Sequence, residues 1–99
     1  MTKVKLPHKP ISFEWDDGNQ LKNWIKHQVS QEECEQVFIN IPKIFEDTKH
    51  SDYEKRMTAY GKTDKGRCLT IVFTFRNLFI RVISARGQNK KEKLKYETK

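Results

Sequence analysis

The chain has 99 residues, of which 33% are charged and 35% are hydrophobic, and its formal net charge is +7. This length is enough for one hydrophobic core and too short for two, and no apolar stretch approaches the roughly 18 residues of a membrane span. The N-terminus has no hydrophobic block typical of a signal peptide. We therefore expect one cytoplasmic domain that does not contact a membrane.

The excess positive charge lies at the two ends of the chain. Residues 1–10 carry three lysines and no acid, residues 86–99 carry six Lys or Arg against two Glu, and residues 11–85 balance to zero. The two prolines among the first ten residues predict a flexible basic arm over 1–10, ahead of a single domain over 11–99. This distribution suits an anionic partner, although charged tails also serve solubility alone.

Two cysteines bear on metal binding. Cys34 and Cys68 lack the C-x-x-C spacing and the neighbouring histidine pairs of a zinc site. We expect both to be reduced structural thiols, and the sequence predicts neither a metal nor a cofactor.

Two helices are predicted in the first half of the chain. The predicted elements are a strand over 11–15, a helix from 16–17 to 26–28, a second helix from 30 to 42, a strand over 44–48 and a polar turn at 49–52. In the first helix Leu21, Trp24 and Ile25 lie at i, i+3 and i+4, so they are expected to face the core. The second helix begins with Ser30 and Glu33 in the spacing of a capping box. Its expected buried positions are Cys34, Val37, Phe38 and Ile41.

Three strands and a last helix are predicted in the second half. Their expected ranges are 54–62, 67–75 and 78–85 for the strands and 89–99 for the helix. A three-residue loop with Gly66 in the left-handed conformation would pair Thr63 with Arg67. This register places Met57 and Ala59 on the core side of the sheet.

The register of the last two strands decides which face carries the arginines. A two-residue loop would pair Phe75 with Leu78, and therefore Val72 with Arg81. Arg81 then shares a polar face with Arg56, while the opposite face forms the core and receives the helices. The predicted fold class is α+β, with two N-terminal helices and a C-terminal helix packed on an antiparallel sheet.

Several short segments match a known family in order and spacing. They are 13–16 (Phe-Glu-Trp-Asp), Asn23 with Lys26 and His27 followed by Val29 and Ser30, Gly61 ahead of Gly66 and Arg67, 81–86 (Arg-Val-Ile-Ser-Ala-Arg), and Glu92 with Tyr96 and Glu97. Over about 13–97 the chain resembles the BrnT-like toxins of type II toxin–antitoxin pairs, formerly a domain of unknown function. It differs from the family pattern at Asn19, where a lysine is frequent, and at Gln28, where glycine is usual.

The resemblance implies a fold similar to that of the RelE and ParE toxins and an endoribonuclease activity that stops translation. It also implies an antitoxin encoded beside the toxin, usually a ribbon-helix-helix protein of the BrnA type. That antitoxin binds operator DNA, so the toxin would reach DNA only through it.

Metal-independent RNA cleavage requires a base for the 2′-hydroxyl, cations for the phosphorane and an acid for the leaving oxygen. The candidate catalytic residues are Lys26, His27, Arg67, Arg81 and Arg86, and the candidate RNA-binding residues are Arg56, Lys90, Lys91 and Tyr96. An imidazole can both donate and accept a proton, so His27 suits acid or base work. Because no cage of carboxylates for a metal is evident, we expect a 2′,3′-cyclic phosphate product.

Each candidate also has a structural interpretation. Arg81 and Arg86 suit salt bridges to Glu92 or Glu97, and Arg67 suits a charge at a hairpin edge. Lys26 and His27 suit solvated positions at a helix end, and Tyr96 suits a helix anchor. Two other functions remain open: a non-catalytic toxin of the same superfold that inhibits a protein such as DNA gyrase, and a small nucleic-acid-binding regulator.

Overall fold

The computed structural model describes residues 2–4, 12–15, 17–47, 55–76 and 79–96. The elements are β1 (Thr2–Val4), β2 (Ser12–Glu14), α1 (Asp17–His27), α2 (Gln31–Ile39), β3 (Lys43–Asp47), β4 (Arg56–Lys62), β5 (Cys68–Arg76), β6 (Phe79–Gly87) and α3 (Lys90–Tyr96). The α+β class and the order of elements from β2 onward agree with the prediction. The predicted turn at 49–52 and the residues Leu78 and Glu97 lie outside the described residues.

The described strands form one six-stranded sheet in the order β1-β3-β4-β5-β6-β2. The sheet is mixed because β2 runs parallel to β6, so the prediction of an antiparallel sheet is wrong at this edge. The alternation of apolar residues fixes the faces of a strand but not its direction. At the other edge β1 pairs with β3, so Thr2–Val4 form a strand where a flexible arm was predicted.

Helix α2 begins as its sequence predicts. The Ser30 hydroxyl accepts a hydrogen bond from Glu33 N at 3.1 Å, and the Glu33 carboxylate accepts one from Ser30 N at 3.0 Å. The buried positions Cys34, Val37 and Phe38 are also confirmed. The fourth position, Ile41, was predicted to be buried and is 87% exposed, because the helix ends at Ile39 and Ile41 adopts a φ of 54°.

Helix α1 buries a different side from the one its apolar residues predict. Trp24 and Ile25 are 54% and 68% exposed, whereas Asn23 is 3% exposed. The Asn23 side-chain oxygen accepts a hydrogen bond from Ala85 N in β6 at 3.2 Å. Strand β2 pairs only with Phe79–Arg81 of β6, so Ala85 lies at a part of the β6 edge that β2 does not cover. A buried backbone N–H at this edge requires a polar partner, and α1 supplies it through Asn23.

The hairpin between β4 and β5 follows the predicted geometry. Thr63 N donates to Arg67 O at 2.9 Å, and Gly66 has a φ of +85°. Met57 and Ala59 are buried in the core as predicted. The local turn chemistry of glycine therefore sets this register.

The predicted register of β5 and β6 is wrong by two residues between Phe79 and Val82, and by three residues from Ser84 onward. Phe75 pairs with Ile80 and Thr74 pairs with Arg81, and the two strands remain paired as far as Arg76 and Phe79. A slip of two residues leaves every side chain on its face, so the hydrophobic pattern alone cannot detect it.

The two faces of the sheet differ in what covers them. The core lies on one face, which we call the helix face, against α1 and α2. It contains Val29, Cys34, Val37, Phe38, Ile44, Met57, Ala59, Leu69, Ile71, Phe73, Ile80, Val82 and Ala85. The opposite face, which we call the arginine face, carries Arg56, Arg81 and Arg86. Helix α3 packs on this second face, where the Tyr96 ring stacks on Tyr60, so the prediction that helices cover one face only is wrong.

Candidate functional site

A β-bulge in β6 brings Arg81 and Arg86 to the same face. Residues five positions apart in a regular strand lie on opposite faces. Here the register shifts opposite Val72 and Phe73, which leaves Ile83 as the extra residue. Arg81 consequently pairs with Thr74 and Arg86 with Thr70, and these two threonines point to one side of β5. The arginine face therefore collects both guanidinium groups.

One row of residues across the arginine face places two arginines around a threonine. Arg81 and Arg56 lie on either side of Thr74 in register. The row continues to Glu14 beyond Arg81 and to Asp47 beyond Arg56. Arg56 is exposed and Arg81 is half-buried, and both make further contacts within the chain. This row holds two cations around a central hydroxyl, with an acid at each end.

The second arginine of β6 is paired with α3. Arg86 donates to both carboxylate oxygens of Glu92, at 2.7 and 2.9 Å, and Thr70 Oγ1 donates to Glu92 at 3.2 Å. The same carboxylate closes a capping box with Asn89 N at 3.0 Å. The hydrogen bonds from Arg86 and Asn89 and the positive charge of Arg86 hold the pKa of Glu92 below its usual value, despite some burial. The salt-bridge interpretation of Arg86 is thus observed.

Aromatic stacking fixes the end of α3. The Tyr96 ring lies 3.7 Å from the Tyr60 ring and nearly parallel to it, and it also contacts Phe45 at 5.3 Å. Burial, together with a hydrogen bond and charge from Tyr96, raises the pKa of Tyr60. Tyr96 is therefore an anchor for the helix, as its structural interpretation predicted.

A cavity of about 500 Å³ opens between α3 and the end of α2. Its walls include Ile41 and Leu94 and the lysines Lys62, Lys90 and Lys93. Apolar walls with a basic rim suit a ligand that has an apolar part and a negative charge. Of the predicted RNA contacts on α3, Lys90 and Tyr96 line this cavity, and Lys91 is exposed outside it.

Arg67 lies in a separate cluster around the end of α1. Its guanidinium donates to the carbonyl oxygens of His27 at 3.0 Å and Gln28 at 2.8 Å, and to Glu33 at 3.0 Å. Burial acts to raise the pKa of Glu33, but Ser30 N and Arg67 together hold it below its usual value. Arg67 thus ties the last carbonyls of α1 to the first turn of α2.

The predicted catalytic residues therefore separate into two groups. Lys26 is exposed and His27 is half-buried at the end of α1, and Arg67 binds the carbonyl oxygen of His27 there. Arg81 and Arg86 lie on the arginine face. Arg81 is paired with Glu14 of β2, whereas Arg86 lies in the part of β6 beyond that pairing.

Comparison with known proteins gives the family. A family model described as "Ribonuclease toxin, BrnT, of type II toxin-antitoxin system" matches residues 15–92. The chain belongs to this BrnT family. A crystal structure at 1.1 Å resolution of the Brucella abortus ribonuclease toxin BrnT is similar in fold, with a TM-score of 0.65 and 22% sequence identity. The likeness covers 82% of this chain and 100% of that chain. A search of curated proteins gave no match.

Membership of the BrnT family makes the chain a toxin of a type II toxin–antitoxin system and implies a cognate antitoxin. The resemblance stated from its sequence segments is confirmed. None of the described helices has the length and apolar character needed to cross a membrane. Within the described residues, three or more His, Cys, Asp or Glu side chains do not come together in a metal-binding arrangement.

Two positions in this BrnT-family chain have roles that the sequence did not reveal. Gln28 adopts a φ of 53°, a left-handed conformation that favours glycine. Thr74 is 4% exposed and its hydroxyl has no hydrogen-bond partner. The alternating threonines of β5 place it on the arginine face, but its pairing depends on the register, which the pattern alone does not fix.

Proposed function

We propose that this chain is an endoribonuclease that cleaves RNA at the arginine face and thereby inhibits translation. The observation that carries the proposal is the bulge in β6, which brings Arg81 and Arg86 to one side of the sheet with Arg56 two strands away. Guanidinium groups bind phosphate oxygens in a bidentate manner, and membership of a ribonuclease toxin family supplies the substrate class.

In this proposal the arginines stabilise the charge of the phosphorane. Arg81 contacts the scissile phosphate, Arg56 binds RNA beside it, and Arg86 adds positive potential while it remains paired with Glu92. RNA that crosses β6 beyond its pairing with β2 meets the end of α1 on the other side. Lys26 or His27 would transfer protons there, since a histidine changes protonation near neutral pH.

Arg67 acts in this scheme as a positioning residue. Its guanidinium already binds two carbonyl oxygens and a carboxylate, so we assign it the task of fixing the α1 end and with it His27. The catalytic role predicted from the sequence is retained only in this indirect form.

Helix α3 would guide the RNA toward the site. Lys90 and Lys91 supply positive charge for the backbone, and the cavity beside Tyr96 would accept a base. The antitoxin would be a ribbon-helix-helix protein that binds operator DNA, and the toxin would act in the cytoplasm with a fold of the RelE and ParE type.

Purified, antitoxin-free protein incubated with 5′-end-labelled RNA in EDTA tests the proposal. We expect defined fragments that end in 2′,3′-cyclic phosphate, with Arg81→Ala and His27→Ala strongly reduced. Intact RNA with folded wild-type protein would reject the enzyme and direct the search to protein targets such as DNA gyrase. Salt-sensitive RNA binding without fragments would indicate a nucleic-acid-binding regulator.

A further inference from the structure

Thr74 carries a buried hydroxyl that has no hydrogen-bond partner. It is one of two such side-chain groups among the residues that the structure describes, and the residue is only 4% exposed. A buried polar group without a hydrogen-bond partner destabilises the folded state. Native proteins contain few of them, and each calls for a reason. A ligand that completes the hydrogen bond would provide one.

The neighbours of Thr74 indicate the charge of that ligand. Arg56 and Arg81 lie directly opposite Thr74 on the two adjacent strands. Side chains paired in this way have Cβ atoms about 4.5–5.5 Å apart and extend to the same face. The hydroxyl is therefore flanked by two guanidinium-bearing side chains, and such a group of donors favours an anion. Asp47 and Glu14 are the next residues of the row, so an anion at Thr74 competes with these carboxylates for the two arginines.

The same sheet contains a matching arrangement that already binds an anion. Four residues earlier in β5, Thr70 pairs with Arg86, and both donate to the carboxylate of Glu92. A threonine and an arginine paired across β5 and β6 thus form a two-point anion clamp. Thr74 and Arg81 repeat this pair on the same face.

We propose that Thr74, together with Arg56 and Arg81, binds one phosphate group of the RNA backbone. Thr74 Oγ1 would donate a hydrogen bond to a non-bridging oxygen, and the two guanidinium groups would bind the remaining oxygens. The hydroxyl is covered in the folded chain, so an incoming phosphate displaces part of that cover. The long side chains of Arg56 and Arg81 can turn to admit it. The assignment of RNA as the source of the phosphate rests on the proposed function.

Two substitutions separate the hydroxyl from the packing of the side chain. Thr74→Val removes the hydroxyl and keeps the shape, and Thr74→Ser keeps the hydroxyl. Thr58→Val is the matched control, since Thr58 is 6% exposed and lies in the neighbouring row of the same face. We expect Thr74→Val to unfold at an equal or higher urea concentration than wild type, because it removes an unpaired polar group.

The rate of RNA cleavage tests the proposed hydrogen bond from Thr74 to the phosphate. Thr74→Val should cleave RNA about 10- to 100-fold more slowly, which corresponds to one hydrogen bond to a charged group. Thr74→Ser and Thr58→Val should remain within a few-fold of wild type. Equal cleavage by Thr74→Val and wild type would overturn the inference.

Inorganic phosphate provides a readout that does not depend on RNA cleavage. Phosphate should raise the melting temperature of wild type, Thr74→Ser and Thr58→Val more than that of Thr74→Val. If phosphate stabilises Thr74→Val less than wild type, but neither wild type nor any variant cleaves RNA, the anion site is supported and the ribonuclease function is rejected. The same phosphate effect in Thr74→Val and wild type would contradict the site.

Discussion

At the residue scale, the carboxylate of Glu92 joins the arginine face to α3. It binds Arg86, Thr70 and the first turn of its own helix. A carboxylate with so many donors is ionised more readily than a solvated one. The stability that it provides therefore depends on pH.

We predict that this contribution is lost in acid. The pKa of Glu92 in the folded chain lies below the ordinary value of 4.5. Its contribution is therefore fully present above pH 4.5 and declines as the pH falls through the folded pKa. Urea unfolding of wild type and Glu92→Gln should differ in free energy at pH 7, with wild type more stable, and the difference should shrink at pH 3. A difference of the same size at both values would contradict the role of the charge.

At the element scale, the orientation of α1 follows from Asn23 rather than from its apolar residues. The exposed positions of Trp24 and Ile25 and the bond from Ala85 N to Asn23 both indicate a helix held at the edge of β6. The side of the helix that is buried is therefore the side that carries Asn23, because the backbone N–H of Ala85 needs a hydrogen-bond acceptor.

The hydrophobic pattern of α1 suggests that Trp24 contributes more to stability than Asn23 does. We predict the opposite for substitutions at these two positions. Asn23→Ala leaves the buried N–H of Ala85 without its partner and should lower the free energy of unfolding by about 1–3 kcal/mol. Trp24→Ser, at a position that is 54% exposed, should change it by less than about 1 kcal/mol. Chemical denaturation measures both. If Trp24→Ser greatly lowered the free energy of unfolding and Asn23→Ala did not, the apolar side of α1 would have to lie in the core.

The same elements show how far the sequence determines the fold. The capping box at Ser30 and Glu33 and the turn at Gly66 are local and were predicted correctly. The register of β5 and β6 depends on contacts between distant residues, and a slip of two positions conserves the hydrophobic pattern. The bulge at Ile83 has no local signal in the sequence. The common face of Arg81 and Arg86, which depends on this bulge, could therefore not be predicted.

Helix α3 was misplaced for a related reason. The one aliphatic residue of this helix, Leu94, is 75% exposed, and the helix is held by Tyr96 and Glu92. Long amphipathic side chains can pack on either face of a sheet. The sequence therefore did not predict that α3 and the candidate residues on it lie on the face opposite α2.

At the scale of the whole molecule, the net charge of +7 would favour the encounter with RNA that the proposed function requires. Each phosphate contact to a single strand releases counterions and contributes about −0.7 to the slope of log K against log salt concentration. If each arginine of the sheet contacts one phosphate, replacing one arginine removes one phosphate contact and therefore one increment of this slope.

We predict that Arg56→Ala makes the salt dependence of RNA binding less steep by about 0.7. Lys65→Ala, which removes the same charge at an exposed turn, should leave the slope nearly unchanged. Fluorescence anisotropy with a labelled single-stranded RNA at several salt concentrations measures both slopes. Equal slopes for the two variants would indicate that RNA binding depends on net charge and not on the arginine face.

The cleavage rate of Arg81→Ala under single-turnover conditions in EDTA tests the central claim most directly. If Arg81 contacts the scissile phosphate, the variant should cleave about 10²–10³-fold more slowly than wild type, whereas Lys65→Ala should match wild type. Circular dichroism and urea unfolding establish that both variants are folded. Wild-type cleavage by a folded Arg81→Ala protein would contradict a cleavage site on the arginine face.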